Sequence, residues 1–112
     1  MKDDLELLDI EQFTGTEGYH NVLGANVTDG IAYIISNGYS WFVTDMLAVL
    51  RIKLKDEDFC AVKLKIKDHK AVATIDDGNG KVLYTQKYDY TDAKVDLTLF
   101  YTNSVLMLSK EY

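Results

Sequence analysis

The sequence predicts a single α+β domain in which two to three N-terminal helices pack on one face of a five-stranded antiparallel meander sheet. Two observations lead to this fold class. Apolar residues recur with a helical period in the first half of the chain and with a period of two from residue 59 onwards. A chain of 112 residues that is 47% hydrophobic and lacks proline suits one domain folded throughout. We place the helical part at about residues 1–55 and the sheet part at about residues 59–109.

Two amphipathic helices are expected before residue 40. Residues 3–12 place Leu5 and Leu8 on one side and acidic residues on the other, which is the pattern of a short surface helix. A second helix is expected to begin after Thr28, because a threonine hydroxyl is a good N-cap. It should end at Gly38, because glycine readily adopts the left-handed conformation that terminates helices.

A third helix is predicted at residues 40–51, which are apolar on every side and should therefore be mostly buried. We expect Trp41 to lie between this helix and the sheet, over the small residues Ala71 and Ala73. Asp45 is the one polar residue that is out of place in this run. Either it points to solvent, or it is half-buried and accepts hydrogen bonds from the Trp41 indole or a backbone turn.

The five strands of the predicted meander are joined by turns at residues 68–69, 79–80, 91–94 and 102–103. In the second turn, Asn79 and Gly80 supply the positive φ angles of a tight hairpin. A slip of one residue would move a whole strand to the other face, so four turns that agree on one inner face support the assignment. The expected inner-face pairs are Val62 with Ile75, Leu64 with Ala73, Ile66 with Ala71, Ile75 with Tyr84, Tyr88 with Leu97, Tyr90 with Val95, and Leu99 with Leu106.

The inner face also carries aromatic rings and the only cysteine. Tyr84, Tyr88, Tyr90 and Tyr101 are expected to fill the margin of the core with their rings and to reach its edge with their hydroxyls. Cys60 is expected to be a small buried hydrophobe. A single cysteine cannot form an intramolecular disulfide, which agrees with a reducing cytoplasm.

The same registers divide the outer face of the sheet into a basic group and an apolar strip. The basic group consists of Lys63, Lys65, Lys67, Lys70 and Lys87, which could serve only solvation and protection of a sheet edge. An exposed apolar strip is more typical of a partner surface. The residues predicted to bind a partner are Phe100, Val105, Met107 and Leu83. The alternative is that the first helix folds back over this strip and buries it.

The charge of the chain and its N-terminal sequence argue against nucleic-acid binding, export and insertion into a membrane. The net charge of −6 and the single arginine argue against nucleic acid as a partner, because phosphate binding needs clustered basic residues. The N-terminus has acidic residues where a signal peptide has basic ones, and no apolar run is long enough to span a bilayer. We therefore expect a cytoplasmic protein that is not embedded in a membrane.

The sequence offers no convincing catalytic group, so we predict no catalytic residue and no enzyme activity. His20 and His69 are expected in separate loops, and neither belongs to a metal-ligand spacing. Glu17 beside His20 could imitate an acid/base pair, but a polar loop that caps the next element is the better explanation. The glycine-rich stretches lack a P-loop pattern. We expect no metal and no cofactor.

Four motifs together resemble a family of short, uncharacterised proteins carried by bacteria, their plasmids and phages. These motifs are FTGTE, TDG, the spacing from Trp41 to Asp45, and DGNGKVLYTQKYDYTD. The resemblance runs from Leu5 to about Asp92, and Ser40 departs from its pattern. Because the family has no assigned activity, the resemblance transfers no catalytic residue. It implies a small acidic protein of a mobile element that blocks a host defence complex by binding it.

Three functions compete at this point. The leading hypothesis is a non-catalytic protein-binding module, such as a phage- or plasmid-encoded inhibitor of a host defence system like CRISPR. The alternative is a structural or regulatory homodimer built through the apolar outer strip, with no defence role. The weakest hypothesis is an enzyme that uses the region of Glu17, His20 and Asp45.

Overall fold

The computed structural model describes residues 18–112 of the chain. Their α+β structure consists of a kinked helical segment and a seven-stranded mixed sheet. The strands are β1 (His20–Val22), β2 (Ala25–Val27), β3 (Phe59–Lys67), β4 (Lys70–Asp76), β5 (Val82–Tyr88), β6 (Leu97–Thr102) and β7 (Val105–Leu108). The helical segment comprises α1 (Asp29–Ile34), a π turn (Ile35–Tyr39) and α2 (Ser40–Ile52), and a 3-10 turn (Ser109–Glu111) follows β7. The helix predicted at residues 3–12 lies outside the described residues.

The second and third predicted helices occur near their predicted positions, but they form one segment. Gly38 takes the predicted left-handed conformation, with φ at 98°, yet the chain resumes a helix two residues later. Burial explains the continuation, because Phe42 and Met46 of α2 lie in the same core as Ile31 of α1. The prediction of two to three separate helices is therefore corrected to one kinked segment within residues 18–112.

The strand order is β1-β2-β7-β6-β3-β4-β5, so the predicted five-stranded antiparallel meander is wrong after β5. β6 pairs with β3 rather than with β5. Residues 89–96 cross the end of the sheet instead of forming the predicted loop at residues 91–94, so the predicted pairs Tyr88 with Leu97 and Tyr90 with Val95 do not form. Two hydrogen bonds hold this connection: Thr91 N–H donates to the His69 carbonyl at 2.7 Å, and Ile66 N–H donates to Asp96 Oδ1 at 2.8 Å. β3, whose inner-face side chains Cys60, Val62 and Leu64 are buried, thereby has a neighbouring strand on each edge.

The two hairpins of β3, β4 and β5 have the predicted register. The pairs Val62 with Ile75, Leu64 with Ala73, Ile66 with Ala71, and Ile75 with Tyr84 are confirmed. In the last hairpin, Leu99 pairs with Leu108 instead of Leu106, because the turn lies at residues 103–104. This shift of two residues leaves every side chain on its predicted face.

Two further strands precede the helical segment, in the part of the chain that was predicted to be helical. The turn between β1 and β2 contains Leu23 and Gly24, whose φ angles are 52° and 82°. β2 then runs parallel to β7, and Asn26 N–H donates to the Ser104 carbonyl at 3.1 Å. Strands of three residues are too short to show a period of two, which is why the sequence pattern misses them.

The core lies between the helical segment and the inner face of the sheet. Its largest fully buried side chains include Ile31, Ile34, Tyr39, Phe42, Met46, Leu47, Leu50, Leu64, Ile75 and Leu99. Cys60 is buried as predicted, and desolvation, with a smaller effect of nearby carboxylates, raises the pKa of its thiol to about 11. Among residues 18–112, no helix has the length and apolarity needed to cross a membrane.

The 3-10 turn after β7 connects the two faces of the sheet. The Glu111 carboxylate accepts hydrogen bonds from the Thr28 hydroxyl at 2.6 Å, from Gly30 N–H at 3.1 Å and from Leu108 N–H at 3.0 Å. It therefore caps the start of α1, a role that the sequence pattern assigned to the Thr28 side chain, which makes no hydrogen bond to its own helix. The next residue, Tyr112, packs against rings on the opposite face of the sheet.

Candidate functional site

Three aromatic rings form a cluster on the outer face of the sheet, which is the face opposite the helical segment. Phe59 at the start of β3 lies beside Phe100 of β6, with ring centroids 5.2 Å apart. Tyr112 packs edge-on against both rings, at 5.8 Å from Phe59 and 5.4 Å from Phe100. Tyr112 is nevertheless 73% exposed. We call Phe59, Phe100 and Tyr112 the aromatic cluster.

A shallow groove of about 420 Å³ opens beside the aromatic cluster. Its lining includes Phe59, Ala61, Thr98, Phe100, Tyr112 and the two glycines of the β4–β5 loop. One wall is polar, because Lys63 Nζ lies 3.7 Å from Asp76 Oδ2 and Asp76 is buried. A groove with an aromatic wall and one ion pair suits a single apolar side chain that carries a polar tip.

The predicted partner-binding residues divide into two groups in the structure. Phe100 and Met107 form a cross-strand pair on the outer face, and Val105 lies opposite Thr102. All three are half-buried. In the structure, the apolar strip consists of the aromatic cluster together with Val105 and Met107, and we use the name for these five residues below. Partner binding by these residues stays a prediction.

Leu83 does not belong to this strip, which corrects its predicted place. A β-bulge at the start of β5 pairs Ile75 with Tyr84 and Asp76 with Val82, so that Leu83 is the extra residue between them. Leu83 is half-buried and packs against the core. A bulge breaks the strict alternation on which the prediction relied.

Two members of the aromatic cluster were missed by the sequence reasoning. Phe59 shares the parity of Lys63 and Lys65 along β3, so its place on the outer face could have been read from the alternation. Tyr112 follows the last strand and has no periodic signal. Its contact with Phe59 is made across more than fifty positions of sequence, and only the fold brings the two rings together.

The β4–β5 loop fixes the position of Phe59 through a glycine. A Cβ atom built on Gly78 would lie 2.8 Å from Phe59 Cδ2, and Gly78 has φ at +86°. The second positive-φ residue of the loop is Gly80, at +96°, so Asn79 does not have the predicted conformation. Asp77 orders the loop by accepting hydrogen bonds from the N–H groups of Asn79 and Lys81, and these bonds lower the pKa of Asp77.

Replacement of these two glycines provides a matched test of this packing. Gly80→Ala places a Cβ in open space and should cost only backbone strain, about 1 to 3 kcal/mol. Gly78→Ala adds an overlap with the Phe59 ring, so we expect it to cost at least about 1 kcal/mol more. Urea denaturation of both variants measures the difference. Equal midpoints would show that Phe59 does not pack on Gly78.

Four lysines of the basic group occupy the other end of the outer face, whereas the fifth, Lys63, lines the groove. Lys67 lies opposite Lys70 at the tip of the β3–β4 hairpin, and Lys65 and Lys87 flank Val72 on the neighbouring strands. All four lysines are exposed. The outer face is thus apolar at one end and basic at the other.

A polar network lies on the inner side, between α2 and the edge strand β5. Asp45 Oδ2 accepts hydrogen bonds from the Tyr88 hydroxyl at 2.8 Å and from Gln86 Nε2 at 3.4 Å. The Tyr84 hydroxyl donates to Gln86 Oε1 at 2.9 Å. Burial, and then the hydrogen bond to Asp45, raises the pKa of Tyr88. These groups satisfy one another, and the network explains Asp45 as a structural residue.

Trp41 lies beside this network. It is half-buried, which corrects the expectation that it is buried between the third predicted helix and the sheet. Its ring packs edge-on against Tyr88, with centroids 4.7 Å apart. The indole N–H donates to the Gly38 carbonyl at 2.7 Å, so Asp45 receives its hydrogen bonds from β5 rather than from the indole.

The remaining predicted positions are dispersed. His20 lies in β1 rather than in a loop, and its Nε2 is 2.9 Å from Asp29 Oδ1. His69 is exposed in the two-residue turn, as predicted, and stacks on Tyr90 at 5.8 Å. Tyr90 is 68% exposed, so its predicted place on the inner face is wrong. Glu17 lies outside the described residues.

Within residues 18–112, His20, His69 and Asp45 lie apart from one another, and each has its own structural neighbour. Among the described residues, no three metal-ligating side chains are close enough to hold a metal ion. A second depression, of about 500 Å³, lies between the end of α2 and the β6–β7 turn. Its lining is mostly charged and polar, with Arg51, Lys55, Glu57 and Asp58, and neither its residues nor the sequence motifs point to a reaction.

Comparison with known proteins gives one match. A family model described as "Family of unknown function (DUF6876)" matches residues 5–112. No curated protein and no solved structure matches the chain. The matched region covers nearly the whole sequence, including β1, β2 and the aromatic cluster. The chain therefore belongs to DUF6876, a family of unknown function.

Proposed function

We propose that this protein is a non-catalytic protein-binding module whose binding surface is the apolar strip on the outer face of the sheet. The observation that carries the proposal is the aromatic cluster of Phe59, Phe100 and Tyr112 beside an open groove. The helical segment packs on the inner face of the sheet, and the three rings of the aromatic cluster are not part of the core between them.

The composition of the strip supports binding of a protein rather than of a small metabolite. Phe, Tyr and Met are enriched in protein interfaces, and a few such anchors in the centre of a patch supply most of the binding energy. The groove is open and contains one ion pair, between Lys63 and Asp76. It can accept a partner's side chain, whereas a small ligand is usually enclosed over most of its surface.

The first test replaces two apolar side chains in the centre of the apolar strip by charged ones. We expect the double variant Phe100→Asp, Met107→Lys to stay folded and to lose its partner, because both residues point away from the core and pair across β6 and β7. Immobilised wild-type protein and variant are compared for capture from a lysate of the source organism, with mass spectrometry of the bound proteins. Circular dichroism checks the fold. Unfolding of the double variant would show that the strip is core.

Two single variants sharpen this experiment. Tyr112→Ala removes the most exposed ring of the cluster and should weaken capture without loss of stability. Ala48→Asp introduces the same charge as Phe100→Asp at an exposed position of α2, on the other side of the sheet, and should leave capture unchanged. A partner that binds all of these variants equally well would contradict the proposed surface.

The second candidate function is a homodimer built through the same strip. An apolar strip that is half-buried in the monomer could pair with its own copy across a two-fold axis. Sedimentation velocity over a range of concentrations distinguishes the two functions. A dimer that dissociates in Phe100→Asp, Met107→Lys supports the homodimer, and a monomer at every concentration supports a separate partner.

A host defence complex, such as a CRISPR effector, is the partner class that the family resemblance suggested. The capture experiment addresses this class directly, since mass spectrometry identifies the partner. Inhibition is then tested with that complex and the same variants. If the double variant inhibits as well as wild type, the strip is not the inhibitory surface.

A further inference from the structure

The basic end of the outer face is unusual for this chain. The protein has a net charge of −6, yet the registers place five lysines on one face of the sheet, and two of them lie near carboxylates, those of Asp76 and Asp96. Lys63 lies 3.7 Å from Asp76, and Lys65 lies 3.9 Å from Asp96. Within residues 18–112, the other three, Lys67, Lys70 and Lys87, form no ion pair. The exposed carboxylates nearest to them in sequence are Asp68, in the turn between Lys67 and Lys70, and Asp89, two residues after Lys87. With Lys65 and Asp96 included, four lysines face three carboxylates, so a small excess of positive charge remains at this end.

The lysines surround an apolar floor. Val72 lies between Lys65 and Lys87 across the strands, and it is 36% exposed. Lys67 and Lys70 lie opposite each other one step towards the hairpin tip. Two like charges on opposite positions of neighbouring strands are unfavourable for the fold. Their placement is explained if a ligand with negative charge binds across them.

We propose that the partner presents an acidic segment to this basic end while an apolar anchor of the same segment fills the groove beside the aromatic cluster. This inference rests on the proposed function and names the chemistry of the partner. β3 runs from Phe59 to Lys67, a distance of about 26 Å at 3.3 Å per residue. An extended segment of about nine residues spans it. Opposite charge along this path aligns the segment and speeds its encounter with the protein.

The arrangement fits an acidic polypeptide better than a nucleic acid. A stacking platform offers flat ring faces to bases, whereas Phe59, Phe100 and Tyr112 pack on one another at interplanar angles of 49° to 84°. The unpaired lysines also lie at the far end of the sheet from these rings. Arginine, the usual bidentate phosphate ligand, occurs once in the chain, at the end of α2.

The test uses the full chain and two fluorescein-labelled synthetic peptides. One carries a single Phe followed by a run of Glu, and the matched peptide has Gln in place of each Glu. Fluorescence anisotropy should show at least about tenfold tighter binding of the Glu peptide, a difference of about 1.4 kcal/mol. The difference should shrink as salt is raised, because salt screens exposed charges.

Variants assign the effect to this surface. Lys70→Glu places a carboxylate opposite Lys67 and cancels both charges, so the Glu peptide should bind about fivefold or more weakly while the Gln peptide is unaffected. Lys55→Glu makes the same charge change in an exposed position beyond α2 and should change neither affinity. Equal loss in both variants would mean that only net charge matters, and would overturn the proposal.

Further outcomes separate this inference from the proposed function. If both peptides bind equally and both depend on Phe100, the strip binds proteins but the acidic segment is wrong. If Phe100→Asp, Met107→Lys leaves both affinities unchanged, the proposed function itself fails. Tighter binding of a labelled oligo-dT than of the Glu peptide, lost in Lys70→Glu, would assign the face to nucleic acid. A dimer of the protein alone that dissociates in Lys70→Glu would assign it to a second copy.

Discussion

Phe42→Ala is expected to lower the free energy of unfolding by about 3 to 5 kcal/mol. Phe42 is fully buried in α2, in the core between the helical segment and the sheet. Removing its ring loses the transfer free energy of a phenyl group and leaves a cavity that close-packed neighbours fill only in part. Trp41 remains in the variant as a fluorescent probe, so urea denaturation followed by its emission measures the change.

The adjacent position is the matched control. Trp41→Ala removes a larger ring, but Trp41 is half-buried, and its indole N–H donates a hydrogen bond to the Gly38 carbonyl. We therefore expect Trp41→Ala to cost less than Phe42→Ala when both are followed by circular dichroism. A larger loss of unfolding free energy in Trp41→Ala than in Phe42→Ala would contradict this. It would show that α2 is packed more tightly on the side of Trp41, near Tyr88.

Glu111→Ala is expected to lower the free energy of unfolding by about 2 to 4 kcal/mol. The variant leaves three donors without their acceptor: the buried Thr28 hydroxyl, Gly30 N–H and Leu108 N–H. An unpaired buried donor costs more than the net value of the hydrogen bond that it lost. The carboxylate also lies at the N-terminal end of α1, where negative charge is favourable. Urea denaturation of the full chain measures the loss.

Two further variants test the same contact from either side. Glu111→Gln keeps the shape and one acceptor oxygen but loses the charge, so it should cost less than Glu111→Ala. Gly30→Ala should also destabilise, because a Cβ there would overlap the Glu111 carboxylate and lie 2.6 Å from Leu108 Cδ1. Unchanged midpoints for both Glu111→Ala and Gly30→Ala would show that the cap is not formed in solution.

Part of the candidate site could be predicted from the sequence. The alternation in β6 and β7 places Phe100, Val105 and Met107 on the outer face, and a register shift of two residues does not alter this. The alternation does not predict the place of Leu83, because a bulge inserts a residue there, or that of Tyr112, which lies outside any periodic segment. The groove depends on Gly78, whose close approach to Phe59 is a contact between a loop and a strand.

Local pattern by itself determined the parts of the fold that neighbouring residues decide. The start of α1 after Thr28, the left-handed Gly38, the span of α2 and the registers of β3, β4 and β5 agree with the structure, because periodicity acts over a few residues. The cap of α1 comes instead from Glu111, and the β4–β5 loop is longer than the predicted two-residue turn. The tertiary structure alone decided which strands are neighbours. β6 satisfies the same alternation beside β3 or beside β5, and packing selects β3, where it covers the open edge of a strand buried in the core. The parallel pairing of β2 with β7 and the bond between Thr28 and Glu111, 83 positions apart, likewise exist only once the chain has closed, since no local pattern encodes contacts at such separations.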